Sequence, residues 1–191
     1  MESDPSEERE FRLMDYTLRK ANLDDREAIE ELIRESARKL SREDYSEEQI
    51  EAAVLSVFGV DTDLIHDGTY FVADSSSMLI GCGGWSKRRT LFGGDRFATR
   101  DSSELDPKLE AAKIRAFFVH PESARKGIGR TILSSCESEA RAYGFRSIEL
   151  MATLPGLKFY RACGYEGNDR VAFEIGNGVR VEFVPMRKDL Q

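Results

Sequence analysis

The chain has 191 residues, is 40% hydrophobic and 33% charged, and carries a net charge of −7. These values suit one soluble domain with a sizeable core, and the acidic balance excludes binding to nucleic acid by overall charge. No apolar run is long enough to span a membrane, the opening MESDPSEERE is acidic rather than signal-like, and Cys82, Cys136 and Cys163 lack metal-ligand spacing. A cytoplasmic protein with reduced thiols and no metal is expected.

Residues 1–13 form a charged segment expected to be disordered, which leaves 14–191 as a single domain. Residues 16–20 (YTLRK) read as a strand. Asp24 with Glu27 reads as a capping box, and Ala28, Ile29, Leu32, Ile33, Ala37 and Leu40 keep the helical period behind it. Ser46 with Gln49 repeats the box ahead of Ile50, Ala53, Val54, Val57 and Phe58, and Gly59 ends that helix. Residues 69–73 and 78–85 read as a hairpin. A polar insertion follows at 87–110, a length usually functional or mobile. Its cations, Lys87, Arg88, Arg89, Arg96 and Arg100, suit steering of an acidic ligand or a merely solvated loop. Trp85 reads as core, and Phe92 as a candidate for an acceptor pocket.

Residues 113–119 (KIRAFFV) read as a strand that runs into a basic glycine loop, SARKGIGR. A helix at 127–143 then buries Ile128, Ile132, Leu133, Cys136 and Ala140. A strand at 147–152, a short helix opened by Pro155 and closed by Gly164, and a hairpin at 171–175 and 179–186 around Gly176-Asn177-Gly178 complete the chain. The order βααββ–β–αβαββ gives an α/β (α+β) mixed sheet.

Strand, basic glycine loop and helix form an arrangement for gripping phosphate. Glycines let backbone N–H groups approach an anion, and the helix start offers unpaired donors and a positive dipole end. Arg125, Lys126 and Arg130 add charge. There is no P-loop match. A dinucleotide fold would place its first glycine directly after the strand, whereas His120 to Lys126 intervene here and Ile132 holds the third glycine position.

Val119, Pro121, Gly127 and Gly129 together resemble the coenzyme A pyrophosphate motif of the GNAT N-acetyltransferases; Ala124 stands where that motif has Arg or Gln. A second stretch, TLPGLKFYRACGY at 153–165, resembles the family's closing motif through Phe159, Tyr160, Gly164 and Tyr165. Thr153 replaces the usual Asn and Gly156 the usual Ala. The resemblance spans roughly 16–188.

The resemblance implies the GNAT fold, with its central parallel strands splayed apart, and acetyl-CoA as cofactor. It implies transfer of the acetyl group to a primary amine of a small molecule or peptide, and it is compatible with a homodimer. On these positions the cofactor contacts would be Phe117, Phe118 and Val119 through the strand backbone, with a backbone N–H near Phe118 as oxyanion donor. Arg125, Lys126, Gly127, Ile128, Gly129, Arg130 and Thr131 would hold the pyrophosphate, with Thr153 and Gly156 beyond. Tyr160, at the family's tyrosine, would be the general acid. The alternatives are a non-catalytic acyl-CoA-binding module on the same fold and a dinucleotide-dependent oxidoreductase.

No general base is legible. Glu110, His120 and Glu149 each read as solvated surface residues, and Cys163 lacks a nearby His to activate it.

Overall fold

The computed structural model describes residues 16–76, 78–97 and 100–190; the charged segment at 1–13 lies outside them. Strands β1 (Thr17–Lys20), β2 (Tyr70–Ser75), β3 (Met78–Ser86), β4 (Ala112–Val119), β5 (Ser147–Thr153), β6 (Val171–Glu174) and β7 (Arg180–Asp189) form one seven-stranded sheet in the order β1-β2-β3-β4-β5-β7-β6. All neighbours are antiparallel except β4 and β5.

Helices cover both faces. On one lie α1 (Arg26–Leu40), α2 (Glu47–Ser56) and α3 (Thr62–His66), whose Ile29, Leu32, Ile33, Val54 and Leu64 pack on Tyr70 and Val72 of β2. On the other lie α4 (Ile128–Tyr143) and α5 (Leu157–Ala162), with Ile132, Leu133 and Cys136 packed on Phe71, Ala73, Ile114 and Ile148. The alternation of Tyr70, Phe71, Val72 and Ala73 between the two cores is the period of a strand buried on both faces.

The sequence order holds, with three corrections. The first cap lies at Asn22, not Asp24: the Asn22 side chain accepts from Asp24 N, and the Asp25 carboxylate accepts from Asn22 N, around a single 3₁₀ turn before α1. Helix α3 was not expected, being too short to show a period. The cations of the insertion are not free to steer ligands. Lys87 pairs with Glu104, Arg88 with Asp67, Arg89 with Glu110, Arg96 with Glu30, and Arg100 with both Asp61 and Asp63. Backbone bonds from Gly94 N to Val57 O and from Asp95 N to Val60 O fasten the insertion beside α2.

Candidate active site

Strands β4 and β5 are paired only at Ala112↔Ile148 and Lys113↔Glu149. Beyond Lys113 they part, while β5 continues along β7 as far as Thr153↔Phe183. Among the described residues, the rest of β4 therefore has no ladder partner on its β5 side. An irregularity shapes this edge: Cys82 opposes Phe118 while Gly84 opposes Arg115, so β4 carries an extra residue. Ala116 takes φ 50 there, and its carbonyl accepts from the buried Tyr70 hydroxyl at 3.2 Å and the Cys82 thiol at 3.6 Å. This is a β-bulge, which bends a strand and re-aims its side chains. Gly83 makes room for it, since a Cβ there would lie 2.3 Å from the Phe117 ring.

The bulge also sorts the amides. His120 N donates to Ile80 O at 2.9 Å. Alternation then turns the Phe118 amide towards β3, where it meets the Cys82 sulfur, and leaves the Val119 amide on the open side. An oxyanion donor on this edge would come from an open-side neighbour rather than from the Phe118 N–H.

A cavity of about 740 Å³ fills the split. At its mouth is the glycine loop. Arg125 (φ 63) and Gly127 (φ 88) are left-handed, and Gly127 starts α4 in a conformation that disfavours a side chain. The space where a Gly127 Cβ would stand is open. The first backbone bond of the helix runs from Thr131 N to Gly127 O, so the amides from Arg125 to Arg130 have no backbone partner among the described residues. Unpartnered donors at the positive end of a long helix, with Arg125 and Arg130 lining the same cavity, fit an anionic group such as a pyrophosphate.

Of the residues singled out from the sequence, Phe117, Phe118, Val119, Arg125, Gly127, Gly129, Arg130, Thr153, Gly156 and Tyr160 line this one cavity; Lys126, Ile128 and Thr131 do not. The Ile128 side chain is core. The Thr131 hydroxyl is bonded to Gly127 O and Tyr16. The Lys126 and Ile128 amides have no backbone partner among the described residues, whereas the Thr131 amide is already used.

Tyr160 is buried and projects from α5 among Phe117, Phe159 and Tyr165, with ring centroids 5.1–6.2 Å apart. Burial pushes its phenol well above the ordinary value, so it keeps its proton at neutral pH. Its hydroxyl makes no hydrogen bond among the described residues, unlike that of Tyr45, which donates to Glu182 O at 2.7 Å and accepts from Leu154 N at 2.9 Å. Tyr45 thereby ties the turn before α5 to β7. A Cβ at Gly156 would stand 3.1 Å from the Tyr160 ring, so the missing side chain sets how closely that ring can approach.

Of the three base candidates, Glu110 and Glu149 keep partly exposed carboxylates, and only His120 is buried. His120 is 5% exposed, with Nε2 3.1 Å from Glu35 and Nδ1 accepting from Glu122 N. Glu149 bonds Lys113, whose ammonium is drawn down by burial to about 8, and Glu110 is taken by Arg89. None of the three lines the cavity. Burial raises the Cys163 thiol, which makes it a poor nucleophile. Among the described residues no cluster of His, Cys, Asp or Glu could hold a metal, and no helix is long and apolar enough to cross a membrane.

Sequence patterns gave no sign of the far wall: Ser36, Leu40 and Ser41 at the end of α1, Phe58 after α2, Leu91 beside Phe92, and Phe183 of β7. Only Phe92 had a local signal, its place in the insertion.

A sheet split between two parallel strands, with a donor-rich helix start at the split, defines a fold class shared by many solved proteins. The chain resembles the GCN5-related N-acetyltransferase structure from Rhodopseudomonas palustris (TM-score 0.68, 20% identity, covering 93% of this chain and 98% of that one). It also resembles the PaiA N-acetyltransferase of Thermoplasma acidophilum in complex with coenzyme A (0.63, 20%, 92% and 99%) and yncA of Salmonella typhimurium with its cofactor acetyl-CoA (0.60, 17%, 93% and 95%). No curated protein sequence matches. The model of the Acetyltransferase (GNAT) family matches residues 26–165. The chain belongs to the GNAT acetyltransferase family.

Proposed function

We propose that the protein is an acetyl-CoA-dependent N-acetyltransferase that acetylates a primary amine by direct transfer, with Tyr160 as general acid. The observation that carries this reading is the shared cavity: Arg125, Gly127, Gly129 and Arg130 of the loop and helix start line the same space as Tyr160, beside the parting of β4 from β5.

Bound acetyl-CoA would supply an acyl group activated as a thioester. The amides of 125–130, with Arg125, Lys126 and Arg130, hold the pyrophosphate. The open edge of β4 at 117–119 offers main-chain groups to the amide-bearing arm of the cofactor, as one strand does to another. An open-side amide of the same segment polarises the acyl carbonyl. Tyr160 Oη holds a proton for the departing sulfur, and the raised phenol keeps that proton in place up to alkaline pH. With no carboxylate or imidazole lining the cavity among the described residues, the amine loses its proton to water. Thr153 and Gly156 stand where the turn before α5 meets the cavity.

The test is kinetic. Tyr160→Phe lowers turnover by about 10²-fold and leaves coenzyme A affinity, measured by calorimetry, unchanged. Undiminished turnover would remove Tyr160 from the reaction. Coenzyme A binding without turnover in the unmodified protein would instead mark an acyl-CoA-binding module.

A further inference from the structure

The cavity has a second wing, a wall contributed by α1, the segment after α2, the insertion, β5 and β7, and its chemistry is one-sided. Leu40, Phe58, Leu91, Phe92, Met151 and Phe183 form the wall. The rings support one another: Phe92 lies 4.8 Å from Phe173 and 5.6 Å from Phe183, and Phe58 lies 5.5 Å from Phe118. No Asp or Glu of the described residues lines the cavity. Four cations also line it. Arg125, Arg130 and Lys158 sit on the side of the loop and α5, and Arg115 is bonded to the fully buried Asp61 and to Ser86.

Two polar groups interrupt the apolar wall. Ser36 and Ser41 both line the cavity and are 4% and 6% exposed. Neither hydroxyl has a partner among the described residues. Two helical serines elsewhere do bond back to their own helix, Ser56 to Ala52 O and Ser135 to Thr131 O. Neither the Ser36 nor the Ser41 oxygen is sealed from solvent, so both hydroxyls open onto the cavity.

We propose that this wing selects the acceptor: a primary monoamine on an apolar body of about one aromatic ring, with no second ammonium. This rests on the N-acetyltransferase reading for the role of the amine, though the shape and polarity of the wing do not depend on it. A second ammonium would enter an apolar wall with no carboxylate to meet it, at the cost of its hydration. A ring would gain by burial against Phe92 and Phe183.

The test is calorimetric titration of the full chain with 2-phenylethylamine and with 1,4-diaminobutane, each with and without coenzyme A. The aromatic amine binds at least about tenfold more tightly, the gain from burying a ring-sized apolar surface. Leu40→Glu places a carboxylate on the wall at a position already 40% exposed; it reduces the preference or reverses it. Equal affinities, a tighter diamine, no binding of either amine, or an unchanged preference in Leu40→Glu would each overturn the proposal. Titration with coenzyme A alone reports separately on the function. If coenzyme A fails to bind while the amine preference persists, the acetyl-CoA reading falls and the acceptor wing stands.

Discussion

At the scale of single residues, the site divides into positions that act through the backbone and positions that act through a side chain. Gly127 belongs to the first kind. A branched side chain at its φ of 88° is strained, and the strain falls on the amides that would hold phosphate. Gly127→Val therefore weakens coenzyme A binding about tenfold or more, whereas the exposed Lys126→Ala changes it by no more than about fivefold. Calorimetry on the two variants decides; the reverse ranking would mean that the loop grips by charge. Gly156 acts by leaving space. Gly156→Ala presses a methyl group against the Tyr160 ring, 3.1 Å away, and is expected to lower turnover more than it lowers coenzyme A affinity. Steady-state kinetics beside calorimetry separates the two, and a variant with unchanged turnover would show that the ring yields at no cost. The loop glycines and Tyr160 were legible because each belongs to a short run of sequence. Ser36, Ser41 and Phe183 were not, since their meeting depends on how α1 and β7 pack across the sheet.

At the scale of elements, the opening of the sheet depends on a local defect in β4. The Ala116 bulge, held by Tyr70 and Cys82, and the ring of Phe117 lying over Gly83 bring the strand edge and the aromatic wall to the cavity. Gly83→Ala drives a methyl group into the Phe117 ring and costs about 1–3 kcal/mol, seen as a lower urea midpoint. An unchanged midpoint would show that the ring can leave without loss. The strand itself was plain in KIRAFFV, but the bulge was not. One residue too many in a strand becomes visible only against the register of its partner, and the glycines of β3 have no periodic signal of their own. The capping box at Ser46 and Gln49 was readable and is present, because a cap is decided within four residues. The first cap moved to Asn22 because two overlapping acidic and amide patterns compete within one turn.

At the scale of the whole molecule, the insertion is fastened to the α1–α3 side by charge. Arg115 of β4 and Arg100 of the insertion both bond Asp61, which is completely buried, and Arg100 also reaches Asp63 and Gly93 O. Burial works against the Arg115 charge, and Asp61 offsets it. Asp61→Asn leaves that cation uncompensated and is expected to cost about 3–5 kcal/mol, read as a lower thermal midpoint; an unchanged midpoint would mean that the network contributes little to stability. Composition and the order of elements were enough to read the mixed sheet. The network was not readable, because charges spread over residues 61, 100 and 115 look like solvated surface until the fold brings them together. The same holds for the acceptor wall, assembled from α1, the segment after α2, the insertion and β7.

The central claim, acetyl transfer from acetyl-CoA to an amine in the split between β4 and β5, is tested most directly by following free thiol release from acetyl-CoA across a panel of primary amines. Release that depends on the amine, with the acetylated amine recovered as product, is the predicted result. Clear coenzyme A binding with no thiol release for any amine in the panel would contradict it.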